Sequence, residues 1–273
     1  MTHGYLRIAA AGLGEGTPVK VRVLGGVASI AHAFADAIAQ EIRAKPAATL
    51  IIPVGPVDQL PILAAMINDA RLDCRGVMLI NMDEYLTDAD AFVPADHPLS
   101  FRGYMDRAFY SLLDPVLAPR LENRVFPDPG KPGAIEQVIA ARGGVDACFG
   151  GIGINGHIAF NEPPEEPMPI DEFAALPTRV LSLARETRTI NSVTVGGGLE
   201  MVPRRAVTVG MKEILAARRL RFYCNRPWQS AVIRRVLHGP ITAACPASLL
   251  RRHPDATIAV ADYVAAPPNI QLR

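Results

Sequence analysis

The sequence contains little that would indicate disulfides, redox motifs or a membrane segment. Only four cysteines occur among 273 residues, and the absence of any C-x-x-C pair excludes a zinc ribbon or a thioredoxin motif. No apolar run reaches the roughly 18 residues of a membrane span, and no charged region precedes the short apolar patch near the N-terminus, so we expect neither a membrane helix nor a signal peptide. The scattered cysteines indicate reduced thiols in a cytoplasmic protein.

The chain also lacks an excess of charge of either sign. Lysine and arginine number 28 against 27 acidic residues, which gives a net charge of +1. We therefore expect neither nucleic acid nor an anionic membrane as a partner, because both require a basic surface. Hydrophobic residues make up 49% and charged residues 20%, which excludes disorder as a global description.

Several catalytic signatures are missing from the sequence as well. It has no H-E-x-x-H, no G-x-S-x-G elbow and no Walker A loop. No cluster of His, Cys and acidic residues has zinc-ligand spacing, so no metal is expected.

What is present is a regular alternation of apolar strands and amphipathic helices. Strands are predicted over 19–24, 48–54, 76–81, 145–150, 180–184, 206–209, 220–224 and 257–261. Helices are predicted over 28–44, 60–70, 98–113, 135–142, 211–217 and 228–238. Because the strands are continuous apolar runs, we predict a doubly wound α/β fold, Rossmann-like, whose mostly parallel sheet has helices on both faces.

The chain is expected to form one α/β domain over residues 19–273, since about 150 residues per domain is only a soft average. Residues 1–18 form an N-terminal arm, either loose or an extra strand. Residues 163–177 are too rich in proline and acid for a core element, and we expect a mobile surface excursion with the position of a lid.

Parallel sheets bind ligands at the carboxyl ends of their strands, and two chemically rich segments follow predicted strands. The first is Asn-Met-Asp-Glu-Tyr at 81–85. Adjacent acids on an extended chain point in different directions, so one faces the crevice while the other braces a loop or forms a salt bridge. A carboxylate here is either a general base or the N-cap of the next helix.

The second segment is the glycine-rich run GGIGINGHIAFNEP at 150–163. A dinucleotide-binding interpretation is weak, because the prolines that follow disfavour a helix and no acid stands at the usual distance. His157 lies among glycines that let a ligand approach the main chain, and its ordinary pKa suits proton transfer near neutrality. Asn155 and Glu162 are close enough in sequence to orient it or to share its proton.

These two segments, together with RETRTINS at 185–192 and weaker matches in the same order, are similar to the glucosamine-6-phosphate deaminase/isomerase family. That family shares its fold with the 6-phosphogluconolactonases. The resemblance spans roughly residues 19–265, and the GHIAFNEP run favours the deaminase/isomerase branch.

The resemblance implies a reaction and the residues that perform it. Asp83 matches the general base that moves a proton between C2 and C1 of the open-chain sugar. His157 matches the residue that opens the pyranose ring, Glu162 matches the acid that assists it, and Arg188 matches an arginine that contacts the sugar phosphate. Asn155 stands where the family usually has aspartate, and its amide can still orient His157. The implied aldose-to-ketose shift with loss of ammonia needs no metal and no cofactor.

The anion-binding positions depart further from the family. The expected hydroxyl-rich phosphate loop is VGPVD at 54–58, which has lost its hydroxyls and gained a proline without an N–H. Gln229 replaces a phosphate-binding lysine, which leaves Arg226 and Lys212 as candidate replacements. The predicted substrate-binding residues are Gly55, Glu84, Gly156, Arg188, Arg226 and Gln229.

Three functions remain open at this point. The first is an amino-sugar deaminase/isomerase acting on a sugar or sugar phosphate, with Trp228 and Phe222 as candidate contacts for the sugar ring. The second is a sugar-lactone hydrolase in which His157 activates water. The third is a non-catalytic sugar-binding relative. A homo-oligomer is compatible with all three, but the family's hexameric allostery is not expected, because the region after the Asn-Glu-Pro is the proline-rich excursion.

Overall fold

Strands and helices alternate along the chain in the computed structural model, which describes residues 4–56 and 58–269. The strands are β1 (Lys20–Leu24), β2 (Thr49–Ile52), β3 (Met78–Asn81), β4 (Asp83–Leu86), β5 (Arg124–Val125), β6 (Ala147–Gly150), β7 (Arg179–Ser182), β8 (Arg205–Thr208), β9 (Leu220–Cys224) and β10 (Ala256–Ala261). The helices are α1 (Gly26–Ala44), α2 (Gln59–Asp69), α3 (Phe101–Ala108), α4 (Ala134–Ala141), α5 (Ile170–Ala174), α6 (Arg185–Ser192), α7 (Met211–Leu215), α8 (Gln229–His238) and α9 (Asp262–Ala265).

A seven-stranded sheet forms the centre of the molecule. Its order is β1-β10-β9-β6-β2-β3-β5, and every pairing in it is parallel. Every residue of β2, β3 and β6 is buried, which is why these strands are apolar apart from Thr49 and Asn81 at two of their ends. On α1 the apolar side chains recur every four residues, and Ile30, Phe34, Ile38 and Ile42 are all buried. The predicted α/β fold with a mostly parallel sheet is confirmed.

A second sheet, which the sequence does not predict, lies beside the first. Its order is β4-β8-β7, and both pairings are antiparallel. The predicted strands 180–184 and 206–209 therefore belong to this small sheet rather than to the parallel one. Strand β4 escapes a search for apolar runs because it begins with two acids, although all four of its residues are buried.

Two flanking segments also differ from the expectations. Within 163–177 the chain forms α5, whose Phe173 is only 1% exposed and packs in the main core, so this segment is not a pure surface excursion. The N-terminal arm forms short 3-10 helices at Gly4–Arg7 and Ala10–Gly12 instead of an extra strand. The buried Arg234 holds the arm by donating from Nε to the Ile8 carbonyl at 2.9 Å. None of the described helices combines the length and the apolar character that crossing a bilayer requires.

Candidate active site

A cavity of about 440 Å³ opens at the carboxyl edge of the parallel sheet. The chain after β2 contributes Gly55, the chain after β3 contributes Asp83, the loop after β6 contributes His157, and the loop after β9 contributes Arg226. The carboxyl ends of neighbouring parallel strands meet at one edge, so segments far apart in sequence converge there. Aromatic side chains supply much of the remaining wall: Tyr85, Phe101, Tyr104, Phe160, Tyr223 and Trp228.

Asp83 is the acid that faces this cavity. It is only 7% exposed, and burial raises the pKa of its carboxyl well above the ordinary value, with a further contribution from the neighbouring charge of Glu84. A carboxylate with a raised pKa is a stronger base. The site thus holds a side chain suited to removing a proton from a substrate.

Glu84 points the other way and does not line the cavity. It is fully buried at the start of α3, where its carboxylate accepts from the backbone N–H groups of Tyr85 at 2.8 Å, Phe101 at 2.9 Å and Arg102 at 2.7 Å. The Ser100 hydroxyl donates to it at 3.2 Å. The side chain of Glu84 therefore makes none of the predicted contact with the cavity in this structure, because successive side chains of a strand face opposite sides.

His157 lies against the glycine-rich loop, and Gly153 makes room for it. A Cβ atom on Gly153 would stand 2.0 Å from His157 Cε1, so any side chain there would displace the ring. The ring nitrogen Nδ1 lies 2.8 Å from Asn155 Oδ1, while Asn155 Nδ2 donates to Glu162 Oε2 at 2.7 Å. Because the amide thus presents its oxygen to the ring, Nδ1 carries the hydrogen, and Nε2 is left to accept a proton.

Glu162 completes this group. Its Oε2 lies 3.2 Å from His157 Nδ1. Burial raises the pKa of Glu162, but hydrogen bonds from His157 and Asn155 and the His157 charge outweigh burial, so that the pKa is lowered overall and the carboxyl stays ionised. Asn155 can bind both neighbours at once, because its amide offers an acceptor to the His157 ring and a donor to the Glu162 carboxylate.

The loop after β9 forms the end of the cavity at which the sequence predicts an anion site. Arg226 is the only lysine or arginine among the lining residues that the structure describes, and its guanidinium makes neither a hydrogen bond nor an ion pair with the described residues. The Gln229 amide is used internally: Nε2 donates to the Ile152 carbonyl at 2.8 Å, and Oε1 accepts from the Arg226 N–H at 2.7 Å. Gly55 and Trp228 also line this end.

Four other predicted contacts lie away from the cavity. The Arg188 guanidinium donates to the carbonyls of Leu199 at 3.0 Å and Val202 at 3.2 Å, so it points away from the cavity in this structure. Gly156 is a turn residue with φ of +89° whose added Cβ would meet Cys245 Sγ at 2.7 Å. Lys212 instead pairs with Glu136 on the surface, and Phe222 is buried in the core.

The sequence reasoning missed the contribution of α6. Asn191 lines the cavity and donates to the Tyr85 hydroxyl at 2.8 Å, and the Thr187 hydroxyl lies 3.2 Å from His157 Nδ1. Both residues stand in the RETRTINS motif. Their spacing of four on a predicted helix would have placed them on one face. Within residues 4–56 and 58–269, no three His, Cys, Asp or Glu side chains gather closely enough to hold a metal ion.

Curated relatives match most of the chain. A glucosamine-6-phosphate deaminase of Streptomyces avermitilis is 33% identical over 241 residues, which cover 85% of this chain and 86% of that protein. One of Mycolicibacterium smegmatis is 31% identical over 258 residues, covering 93% and 94%. No family model matches the chain.

Solved structures are also similar to this chain over most of its length. A monomeric glucosamine-6-phosphate deaminase superposes with a TM-score of 0.79 at 26% identity, over 90% of this chain and 99% of that one. A 6-phosphogluconolactonase from Trypanosoma brucei gives a TM-score of 0.63 at 14% identity, over 92% and 98%, and this likeness concerns the fold alone.

Proposed function

Since the chain belongs to the glucosamine-6-phosphate deaminase family, we propose that it is an amino-sugar phosphate deaminase/isomerase. It converts an amino aldose phosphate similar to glucosamine-6-phosphate, together with water, into the ketose phosphate and ammonia. The observation that carries this proposal is the buried Asp83 carboxyl, with its raised pKa, in the same cavity as the His157 ring.

Proton transfers account for the whole reaction. His157 Nε2 exchanges a proton with the sugar at the ring-opening step, while Glu162 and Asn155 hold the opposite side of the imidazole. Asp83 takes the proton from C2 and delivers it to C1, while a proton of the 2-ammonium group passes to O1, so that O1 becomes a hydroxyl and an iminium is left at C2. Water adds to this carbon, and ammonia leaves. Each step needs a positioned acid or base.

The test is ammonia release by wild type and by the Asp83→Asn variant. The variant keeps the shape of the side chain but cannot take a proton. We expect at least a thousand-fold loss of turnover, which is in the upper part of the range for a general base, because the same group acts in two proton transfers. Its circular dichroism and melting should remain those of a folded protein. Undiminished turnover in this variant would refute the proposal, and hydrolysis of a sugar lactone that survives the substitution would move the assignment to a lactonase.

Arg226 is proposed as the anchor of the substrate phosphate, because it is the free guanidinium at this end of the cavity. Guanidinium groups bind phosphate with paired, charge-assisted hydrogen bonds. Glucosamine-6-phosphate and glucosamine should be compared side by side in the ammonia assay. Release from the ester alone supports an anion site, whereas equal release from both sugars contradicts one.

The state of the cysteines bears on the compartment in which the protein works. The four cysteines are free and buried, which suits a reducing compartment, and we propose the cytoplasm. Self-association into a homo-oligomer remains a prediction. Light scattering coupled to size-exclusion chromatography measures it directly.

A further inference from the structure

The connection between β7 and β8, residues 183–204, carries α6 across the cavity. Its two ends meet, since the Leu183 N–H donates to the Arg204 carbonyl at 2.8 Å. The side chains at 187 and 191 are four residues apart, which places them on one face of α6, and residue 194 lies in the 3-10 helix Val193–Val195 that follows it. Asn191 and Thr194 line the cavity, and Thr187 is 1% exposed. The inner face of α6 is therefore polar and turned toward the site.

Thr187 reaches the acid–base pair from this helix. Its Oγ1 lies 3.2 Å from His157 Nδ1, and it is near enough to Glu162 to help lower the pKa of that carboxyl. The Nδ1 hydrogen already has a shorter acceptor in Asn155 Oδ1 at 2.8 Å. The hydroxyl is therefore most useful as a donor, and the Glu162 carboxylate is the acceptor within its reach.

Within the described part of the chain, the Glu162 carboxylate lacks a hydrogen-bond donor at one of its two oxygens. It is 9% exposed, and its Oε1 atom is buried without a hydrogen-bond partner among the described residues. An ionised carboxylate with too few donors is unstable in a buried site, and it holds its neighbours poorly. Asn155 belongs to the same loop, whereas Thr187 comes from an element 25 residues farther along the chain.

We propose that Thr187 is a positioning residue for the acid–base pair: its hydroxyl donates to Glu162, steadies the His157 ring, and makes that orientation depend on α6 lying over the cavity. The role rests on the proposed function, because it assigns to Thr187 an effect on the ring-opening step. Asn191, on the same face of α6, donates a second hydrogen bond to the Tyr85 hydroxyl. The helix is therefore held both near Asp83 and near His157.

Two substitutions separate the hydroxyl from the shape of the side chain. Thr187→Val is nearly isosteric and removes the hydroxyl, whereas Thr187→Ser keeps the hydroxyl and removes a methyl group. We expect the valine variant to lose 10- to 100-fold in kcat with KM changed less than about threefold, in line with the loss of one orienting hydrogen bond to a charged group. The serine variant should keep kcat within about threefold of wild type.

The titration of Glu162 adds a readout that a packing defect would not move. His157 and Glu162 are the titratable groups that this hydroxyl contacts, and Asp83 titrates in the same cavity in all three proteins. Losing a donor raises the pKa of Glu162, so in a carbon-13 NMR titration of the glutamate carboxyls the Glu162 midpoint should move to higher pH in Thr187→Val and stay in place in Thr187→Ser. Equal losses in both variants, or a loss confined to KM, would overturn the proposal.

Nitrogen-15 NMR of the histidine side chains tests the contact without any turnover. In wild type and Thr187→Ser, the His157 signals should report hydrogen on Nδ1 over a wide pH range. In Thr187→Val the ring should show a mixture of tautomers or a changed titration midpoint. Identical His157 spectra in all three proteins would refute the contact even if wild type released no ammonia, so failure here is distinguishable from failure of the proposed function.

Discussion

Individual side chains at the cavity divide into those that can meet a substrate and those that hold others in place. Asp83, His157 and Arg226 line the cavity, whereas Asn155 and Glu162 bind the far side of the histidine ring. The division follows hydrogen-bond capacity. A group whose donors and acceptors are already used inside the protein has little left for a ligand.

Two arginines make this distinction testable. Arg226 is free at the cavity, and Arg188 is engaged with the carbonyls of Leu199 and Val202. We expect Arg226→Gln to raise KM for glucosamine-6-phosphate by roughly 10- to 100-fold, because a charge-assisted phosphate contact contributes about 1.5–3 kcal/mol. Arg188→Gln is the matched control and should raise KM less. The reverse order in steady-state kinetics would show that Arg188 turns into the cavity when substrate binds.

Among the secondary structure elements, α3 depends most on a buried charge. Its first turn supplies the N–H groups that Glu84 accepts, and its Phe101 and Tyr104 line the cavity. An anion at a helix N-terminus satisfies unpaired donors and is favoured by the helix dipole. Burial nevertheless leaves the pKa of Glu84 raised overall, since desolvation exceeds what these hydrogen bonds recover.

Replacing Glu84 with glutamine should destabilise the protein. The amide NH₂ cannot accept from the backbone donors, and a buried donor without a partner costs about 1–3 kcal/mol. We expect a melting temperature lower by roughly 2–12 °C, since about 1 kcal/mol corresponds to 2–4 °C in a protein of this size. Ser100→Ala, which removes one hydroxyl from the same group, should cost less. Calorimetry shows which of the two variants has the lower melting temperature. An unchanged melting temperature in Glu84→Gln would contradict the role of Glu84 in anchoring α3.

At the scale of the whole molecule, the buried carboxyl of Asp83 lowers the free energy of unfolding. Burial raises the pKa of Asp83 above its value in the unfolded chain. Its contribution to the unfolding free energy is therefore fully present below the unfolded-state pKa and is lost as the pH rises through the folded-state pKa. At neutral pH the folded protein therefore bears the cost of burying an ionisable carboxyl, and a neutral amide at this position would not bear that cost.

Asp83→Asn should therefore be more stable than wild type at pH 7, although it is inactive. We expect a higher free energy of unfolding for the variant, because its side chain has no charge for the buried site to oppose. The difference should shrink as the pH falls toward about 4, because the unfolded chain then also binds the Asp83 proton and the asparagine does not titrate. Urea unfolding of both proteins across this range measures the difference, and a variant less stable than wild type at pH 7 would contradict the argument.

The sequence by itself determined the parallel sheet and the edge at which the cavity forms. Continuous apolar runs such as Leu50, Ile51 and Ile52 of β2 must be buried on both faces, and parallel strands bring the segments that follow them to one edge. Asp83 and His157, both singled out from such segments, accordingly line one cavity. Their catalytic roles remain proposals.

Only the tertiary structure decided which way several side chains point. Glu84 faces α3 because neighbouring residues of a strand alternate between its two sides, and Arg188 turns to the carbonyls of its own connection. The contact between Thr187 and His157 joins residues 30 positions apart in separate elements. Such contacts depend on how elements pack and on one-residue changes of register or helix face, and the local pattern of the sequence does not contain that information.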